Sequence, residues 1–365
     1  MPSGGLVIPH SRPSLSVEDF AAVADVMRSG HLAQGEQVQK FEENVAAYVG
    51  RRGGVATSSG TAALHLALLA LGVGAGDEVI VPSYTCVALL HALSYVGATP
   101  RLVDIEPDQY NLSIREVRQQ LSPRVKAIIV PHMFGMPVDL EPLASLGVPL
   151  IEDCAQALGA TYHQKPVGRF GTISICSFYA TKVITTGEGG MLLADSEMLL
   201  TRARDLRDYD GRTAYETRFN YKMTDLQAAL GISQLRRLPS FLARREALAV
   251  RYGAALRDLP IRLPIVKPER THIFYRYVID VDDASRLAHR LGLRRIQCKP
   301  PVFKALHQCL GQEGFAHTDA AMQRALSLPL YPALTDGEAE TVVRAVIDEL
   351  VQEEERPRQL LSSRS

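Results

Sequence analysis

Through the first two thirds of the chain, short apolar runs alternate with stretches whose apolar residues recur at helical spacing. The runs at Glu78–Pro82, Arg101–Asp104, Val125–Pro131, Val148–Asp153, Thr172–Phe178 and Gly190–Ala194 predict strands. Several, such as VKAIIVP and VPLIED, are almost continuously apolar, as strands covered on both faces of a mostly parallel sheet are. Between them the pattern predicts helices over Thr61–Leu71, Cys86–Val96, Ser113–Leu121 and Leu140–Leu146. Strand-then-helix alternation predicts an α/β fold with three layers, α/β/α. Two helices precede the sheet. One spans Val17–Ser29 behind Ser16, with Asp19 completing the N-cap signature, and the other spans Gln37–Val49. After the sheet come Ser196–Tyr209 and a long pattern, Thr224–Leu248, which Pro239 is expected to kink or break. From about residue 245 the texture changes. IFYRYVIDV reads as an alternating strand, and Asp283–Leu291, Thr318–Leu326 and Asp336–Gln352 read as helices. The expected organisation is a large domain over 14–244 and a smaller α+β domain over 245–353. Residues 1–13 are expected to pack with the smaller domain, and a polar tail over 354–365 to fray.

Charge narrows the function. Lys+Arg and Asp+Glu both count 40, so the 365-residue chain is formally neutral and has no basic run. A nucleic-acid binder or a membrane-surface protein would carry a basic footprint. The five cysteines are odd in number, irregularly spaced and without a CxxC, so neither a disulfide framework nor a metal site is expected. The N-terminal segment MPSGGLVIPHSRPSLS lacks an apolar signal core, and the most apolar stretch, Gly60–Val73, is too short to span a bilayer. A cytoplasmic protein is expected.

Three segments can carry chemistry. In ICSFYATKVITTGEGGMLL, Lys182 sits in a short loop between two strands that read as buried. A desolvated amine has a lowered pKa and attacks carbonyls, giving a Schiff base; an exposed loop lysine is the plain alternative. In PLIEDCAQALGA, Asp153 ends a strand, at the sheet edge where open α/β folds bind ligands. It can keep a pyridine nitrogen protonated, or merely cap a following helix. Glu152 should face the other way, and Gln156, three residues on, could reach a ring oxygen. In ATSSGTAAL, Ser59, Gly60 and Thr61 lead from a strand into an apolar helix. That is either an anion cradle, to which Ser177 could add a hydroxyl, or a well-capped helix. Together the three segments supply what pyridoxal 5′-phosphate needs.

Eight ordered blocks then give the chain a relative: SGHLAQGEQVQKFE, SSGTAALHLAL, GDEVIVPSYTCVA, VPHMFGMPVDL, IEDCAQALGA, SFYATKVITTGEGG, NYKMTDLQAALGISQL and LSLPLYPALTD. From about Ile8 to about Ala345 the sequence resembles the DegT-type (StrS-like) nucleotide-sugar aminotransferases, which have the aspartate aminotransferase fold. The resemblance implies a pyridoxal-phosphate enzyme in which Lys182 forms the Schiff base. Asp153 then partners the pyridine nitrogen and Gln156 the ring face or phenolic oxygen. Ser59, Gly60, Thr61 and Ser177 cradle the phosphate. Asn220 reaches the phosphate of a neighbouring subunit, so a homodimer with shared active sites is implied. The implied reaction moves an amino group, usually from L-glutamate, to a keto group of a nucleotide-linked sugar, for surface polysaccharides or glycosylated metabolites. A sugar dehydratase, a cyclitol aminotransferase and a non-catalytic cofactor-binding regulator are the alternatives. Lys182 argues against the dehydratases, some of which carry His there.

The chain departs from the family at two places. Cys86 stands where relatives place an aromatic over the cofactor ring and is ranked above Tyr84 as that contact, and Leu158 stands where a His often follows AQA. Elsewhere plainer readings are preferred. His65 is expected to be a packed core residue, Cys154 a small buried one, and Arg236–Arg237 and Arg244–Arg245 a solvated helix face. His132 could line the pocket, and Arg276 and His307 could reach a sugar or diphosphate.

Overall fold

The computed structural model describes residues 7–362, and side chains through Val351. Expectations placed on residues 1–6 and 363–365 lie outside them. In chain order the elements of the first part are α1 Val17–Ser29, α2 Glu36–Val49, β1 Gly53–Thr57, α3 Gly60–Ala70, β2 Glu78–Pro82, α4 Ala88–Val96, β3 Thr99–Val103, α5 Ile114–Gln119, β4 Val125–Pro131, α6 Glu141–Ala144 and β5 Leu150–Asp153. A two-residue ladder follows, β6 Thr161–Tyr162 with β7 Lys165–Pro166, then β8 Ile173–Ser177, β9 Gly190–Ala194, α7 Glu197–Arg207 and α8 Asp225–Leu256. The remainder is β10 Tyr277–Asp280, α9 Ala284–Leu293, α10 Leu306–Leu310, α11 Ala316–Arg324, β11 Ala325–Leu328 and α12 Asp336–Ser362.

Seven strands form one sheet in the order β1-β9-β8-β5-β4-β2-β3, in which only β9 is antiparallel to its neighbours. The unbroken apolar runs have a direct explanation. Strand β4 sends Ile128 and Val130 into one buried cluster and Ala127 and Ile129 into another. The first cluster lies under α2 and α8, through Phe41, Val45, Ala228 and Leu238, and the second under α3, α4 and α7, through Leu64, Leu68, Leu93 and Leu200. A strand covered on both sides has no polar face to alternate with.

The structure differs from the sequence pattern at several points. Pro239 does not break α8, which runs on to Leu256. Leu238 and Phe241 pack into the large core on either side of it, and Leu248, Tyr252 and Leu256 pack into a separate cluster with Tyr277, Ile279, Leu326 and Val346. Burying that many large side chains outweighs the roughly 3 kcal/mol a mid-helix proline costs. The expected division at 244/245 therefore falls inside one helix, and Ile8 joins the cluster around Tyr252 and Tyr277 beside its bridge partner Ile296. IFYRYVIDV is a strand only over Tyr277–Asp280, because Phe274 has φ 49° and ends the extended run. Leu326, expected at the end of a helix, lies in β11 against Ile279. Helix α12 continues through Ser362. All five cysteines are free thiols, and among the described residues no helix is long and apolar enough to cross a membrane.

Candidate active site

Because β1, β8, β5 and β4 are parallel to one another, their C-terminal ends share one edge of the sheet. The turn after β1 is the tightest feature there. A Cβ on Gly190, at the start of β9, would lie 2.3 Å from the carbonyl oxygen of Ser59 and 2.6 Å from the amide nitrogen of Gly60. One on Gly60 would lie 2.8 Å from Cβ of Ser177. Only glycines allow this approach, which sets the Ser177 hydroxyl beside the first amides of α3. Ser59 caps that helix, its hydroxyl accepting from Ala62 N–H at 3.1 Å. The same cap leaves the Gly60 and Thr61 amides, at the positive end of α3, without an acceptor within the helix.

Strand β5 ends in Glu152 and Asp153, which take opposite sides as alternation requires. Glu152 is fully buried and accepts from the N–H groups of Gly168 and Phe170 at 2.7 and 2.6 Å, from Gly171, and from His132 Nε2 at 3.3 Å. Burial opposes its ionisation, but these donors prevail and hold its pKa below the usual carboxylate value. It braces the 168–171 loop and carries no chemistry. His132 is spent on that brace, since its Nδ1 also accepts from Val138 N–H, so it does not line the pocket. Asp153 does not cap a helix, because none follows it. Its Oδ1 accepts from Ala155 N–H at 2.9 Å within a turn, and Oδ2 has no partner among the described residues. Burial pushes its pKa up, opposed by the Ala155 N–H and by the positive charge of Lys182. Gln156 directs Oε1 to the N–H of Phe134 at 2.9 Å, which leaves its amide nitrogen as the group to offer a ligand.

Lys182 lies in a loop pinned to itself. Phe178 donates to Gly189 O, Thr186 N–H donates to Phe178 O, and Lys182 N–H donates to Tyr179 O, at 2.8–2.9 Å. The side chain is half-buried, with Nζ 5.3 Å from the centroid of the Tyr275 ring. Tyr275 is the residue that sequence reasoning missed. Its hydroxyl is 3.4 Å from Thr181 Oγ1 and accepts from the Arg276 guanidinium at 3.3 Å. Burial alone would raise its pKa. Lys182, Arg276, the Thr181 hydrogen bond and Arg245 outweigh burial and bring it down to about 8. Two aromatic residues in left-handed conformation deliver it: Phe134 at φ 58°, held by Gln156, and Phe274 at φ 49°, held by His272 Nδ1 at 2.9 Å. Such strain survives only where surrounding contacts over-determine it. Here Ile273 and Arg276 N–H donate to Gly135 and Phe134 carbonyls, tying the two segments together. Arg245, expected on a solvated face, is 2% exposed and donates to the carbonyls of Phe274, Tyr275 and Leu330, because α8 passes beneath this segment. Nothing in IFYRYVIDV marks Tyr275; the turn that aims it is tertiary.

The other candidates divide. Cys86 is exposed on this chain. Tyr84 is fully buried, stacked on Tyr110 and edge-on to Phe134, so it turns away into the core. His307 is buried, with its ring nitrogens bound to Ser83 Oγ at 2.7 Å and Asp319 at 3.1 Å. His65 is a core residue, bonded to Tyr221 at 3.1 Å, and burial lowers its pKa. Asn220 is exposed, on a segment fixed to the cradle turn of its own chain by Ser58 N–H donating to Tyr221 O at 2.8 Å. Among the arginine pairs, Arg237 bonds Asp19 at 2.9 Å and Arg244 bonds Asp336 at 2.8 Å.

These groups suit pyridoxal phosphate. The glycine-tight turn gathers donors for a phosphate, the free Oδ2 of a buried acid suits a cationic ring nitrogen, and an amine stands within electrostatic reach of that acid. Comparison with known proteins agrees. The chain superposes on TlmJ, an aminotransferase of Streptoalloteichus hindustanus, with TM-score 0.88 at 33% identity, over 93% of this chain and 97% of that one. Spr1654 of Streptococcus pneumoniae, in its PLP form, matches with TM-score 0.88 at 26% identity, over 93% and 98%. PseC of Helicobacter pylori, an aminotransferase involved in pseudoaminic acid biosynthesis, matches with TM-score 0.89 at 25% identity, over 95% and 100%. The DegT/DnrJ/EryC1/StrS aminotransferase family model covers residues 13–347. The chain belongs to that family, and is a pyridoxal-phosphate-dependent aminotransferase with its fold.

Proposed function

We propose that this enzyme transfers an amino group from L-glutamate to the keto group of a nucleotide-linked sugar, as a homodimer with shared active sites. The observation that carries the reading is the meeting of Lys182, Asp153 and the α3 cradle at one sheet edge. The sugar is supported by the similarity to PseC.

Bound pyridoxal phosphate supplies an aldehyde that takes up the amino group and a protonated ring that draws electrons from the carbon losing its proton. Asp153 would hold the ring nitrogen through Oδ2 while Ala155 fixes its other oxygen. The Gly60 and Thr61 amides, the Ser59 and Ser177 hydroxyls and Asn220 of the partner subunit would hold the phosphate. Gln156 and Cys86 would contact the ring. Lys182 would anchor the aldehyde and, once displaced, take the proton from the donor's α-carbon through Nζ. The Tyr275 ring, with its hydroxyl held by Arg276 and Thr181, would orient that amine from its face.

The test is direct. Holoenzyme incubated with glutamate is expected to lose its yellow colour and release 2-oxoglutarate. A following screen of ketosugar nucleotides and keto-inositols, read by mass spectrometry, is expected to show a keto oxygen replaced by an amine on a nucleotide sugar. Loss of water would make it a dehydratase, an aminated inositol would move the acceptor class, and no reaction with glutamate would remove the donor. For Tyr275→Phe, kcat is expected to fall roughly 10²-fold. Below about pH 8 the phenol keeps its proton and above it the proton is lost, so a limb falling above about pH 8 should disappear in this variant. A pH–rate profile identical to wild type would leave Tyr275 with packing alone.

A further inference from the structure

A cavity of about 110 Å³ lies between the loop after β3, the turn at Met133–Met136 and the β10 and α11 side of the C-terminal unit. Lys182, Asp153 and the α3 turn do not line it. Its walls are apolar, through Met133, Met136, Leu263, Ile265, Val278 and Ala321, with the rings of Tyr110 and Phe134 edge-on to each other at 5.1 Å. The charges in the lining balance, Asp108 and Asp280 against Arg262 and Arg276. Asp280 is already engaged, by Arg262 at 2.6 Å and Arg324 at 2.8 Å. The walls are also braced. Asn111 Nδ2 donates to the carbonyls of Met136 and Pro137 at 3.2 Å, and its Oδ1 accepts from Met133 N–H at 2.9 Å. Two polar groups of the lining are unspent. The Tyr110 hydroxyl has no hydrogen-bond partner among the described residues, and neither has that of Tyr84, the fully buried ring stacked on Tyr110 at 5.6 Å. Burial raises the pKa of both phenols, so they keep their protons. His272 spends Nδ1 on Phe274 N–H at 2.9 Å, and burial lowers its pKa to about 3. Its ring is therefore neutral with the proton on Nε2, for which no acceptor stands among the described residues. Sheltered donors left without acceptors cost free energy until a partner arrives.

The geometry points to an effector site here, for a small uncharged aromatic molecule bearing one hydroxyl or carbonyl, whose occupancy is felt at Lys182. An apolar cavity of about 150 Å³ takes up benzene, so this one suits a single ring. The ligand's oxygen would accept from Tyr110 or His272, and the balanced lining gives an ion no net partner for the water it would lose. The link to the amine is short. Phe134 and His272 both line the cavity; Phe134 at φ 58° and Phe274 at φ 49°, the latter held by His272, are the two left-handed residues that aim Tyr275. A ring lodged against them biases those turns, and with them the aromatic face 5.3 Å from Lys182 Nζ. The site goes beyond the aminotransferase reading and does not depend on which ketone accepts the amine.

The test is equilibrium binding of phenol and of benzoate to the yellow holoenzyme, followed by a pH titration of the yellow band with and without saturating phenol. Phenol is expected to bind saturably, and benzoate at least about tenfold more weakly. Tyr110→Phe keeps the ring and is expected to weaken phenol about fivefold. Ala320 is exposed on α11 and lines the cavity, so Ala320→Trp fills it from the surface side and is expected to weaken phenol at least about tenfold, with colour and far-UV circular dichroism retained. Phenol is expected to move the midpoint of the yellow band by about half a pH unit in wild type and not in Ala320→Trp. Absence of saturable binding, or affinity unchanged in both variants, overturns the site. Equal binding of benzoate overturns the neutral ligand, and a midpoint that phenol does not move overturns the link to Lys182. The aminotransferase reading is judged separately, by whether wild-type holoenzyme converts glutamate.

Discussion

Lys182→Ala protein is expected to purify colourless and to turn over at least about 10⁴-fold more slowly than wild type, because one side chain serves as both anchor and base. The loop around it supports a clean interpretation. Its hydrogen bonds run through the backbones of Phe178, Thr186 and Gly189, so trimming the lysine leaves the loop in place. The fold should survive, and added small amines should recover part of the rate if the missing group is a base. Absorption spectra with a glutamate half-reaction check this, and a colourless variant with full turnover would sink the assignment. The position invites the test, since the amine influences both Asp153 and Tyr275.

The second large effect concerns Asp153→Asn. This exchange keeps the shape and the bond from Ala155 but removes the negative charge. A ring nitrogen facing an amide loses its proton, and the rate is expected to fall roughly 10³-fold, about 4 kcal/mol of barrier. Cofactor should still bind, because the cradle at α3 is untouched. Burial already pushes Asp153 toward its neutral form, and the Ala155 N–H and Lys182 oppose this. A positively charged ring would complete that compensation. Single-turnover kinetics with glutamate measure the chemical step, and kinetics equal to wild type would remove Asp153 from the mechanism. The neighbouring Glu152 is expected to matter for folding instead, since it bonds three backbone N–H groups and His132.

Much of the sheet was legible because its strands are covered on both sides, and VKAIIVP and LIED show this in their letters. The Gly60 turn was legible for a related reason: small residues between a strand and an apolar helix leave little else to form. What escaped depends on contacts distant in sequence. Pro239 reads as a breaker until the two cores gripping α8 are known. Arg245 reads as a surface charge until the segment it supports arrives from 274–275. Tyr275 and Tyr84 are both aromatic residues in apolar runs, and no local rule turns one toward the amine and the other into the core.

The unbroken α8 also constrains protein engineering. A chimera that exchanges the C-terminal unit for a relative's has no linker to cut and must splice within the helix. Inserting or deleting one residue between Phe241 and Leu248 would rotate everything downstream by about 100°. The buried stripe beyond the junction would then face solvent, and Arg245 would lose the carbonyls that it supports.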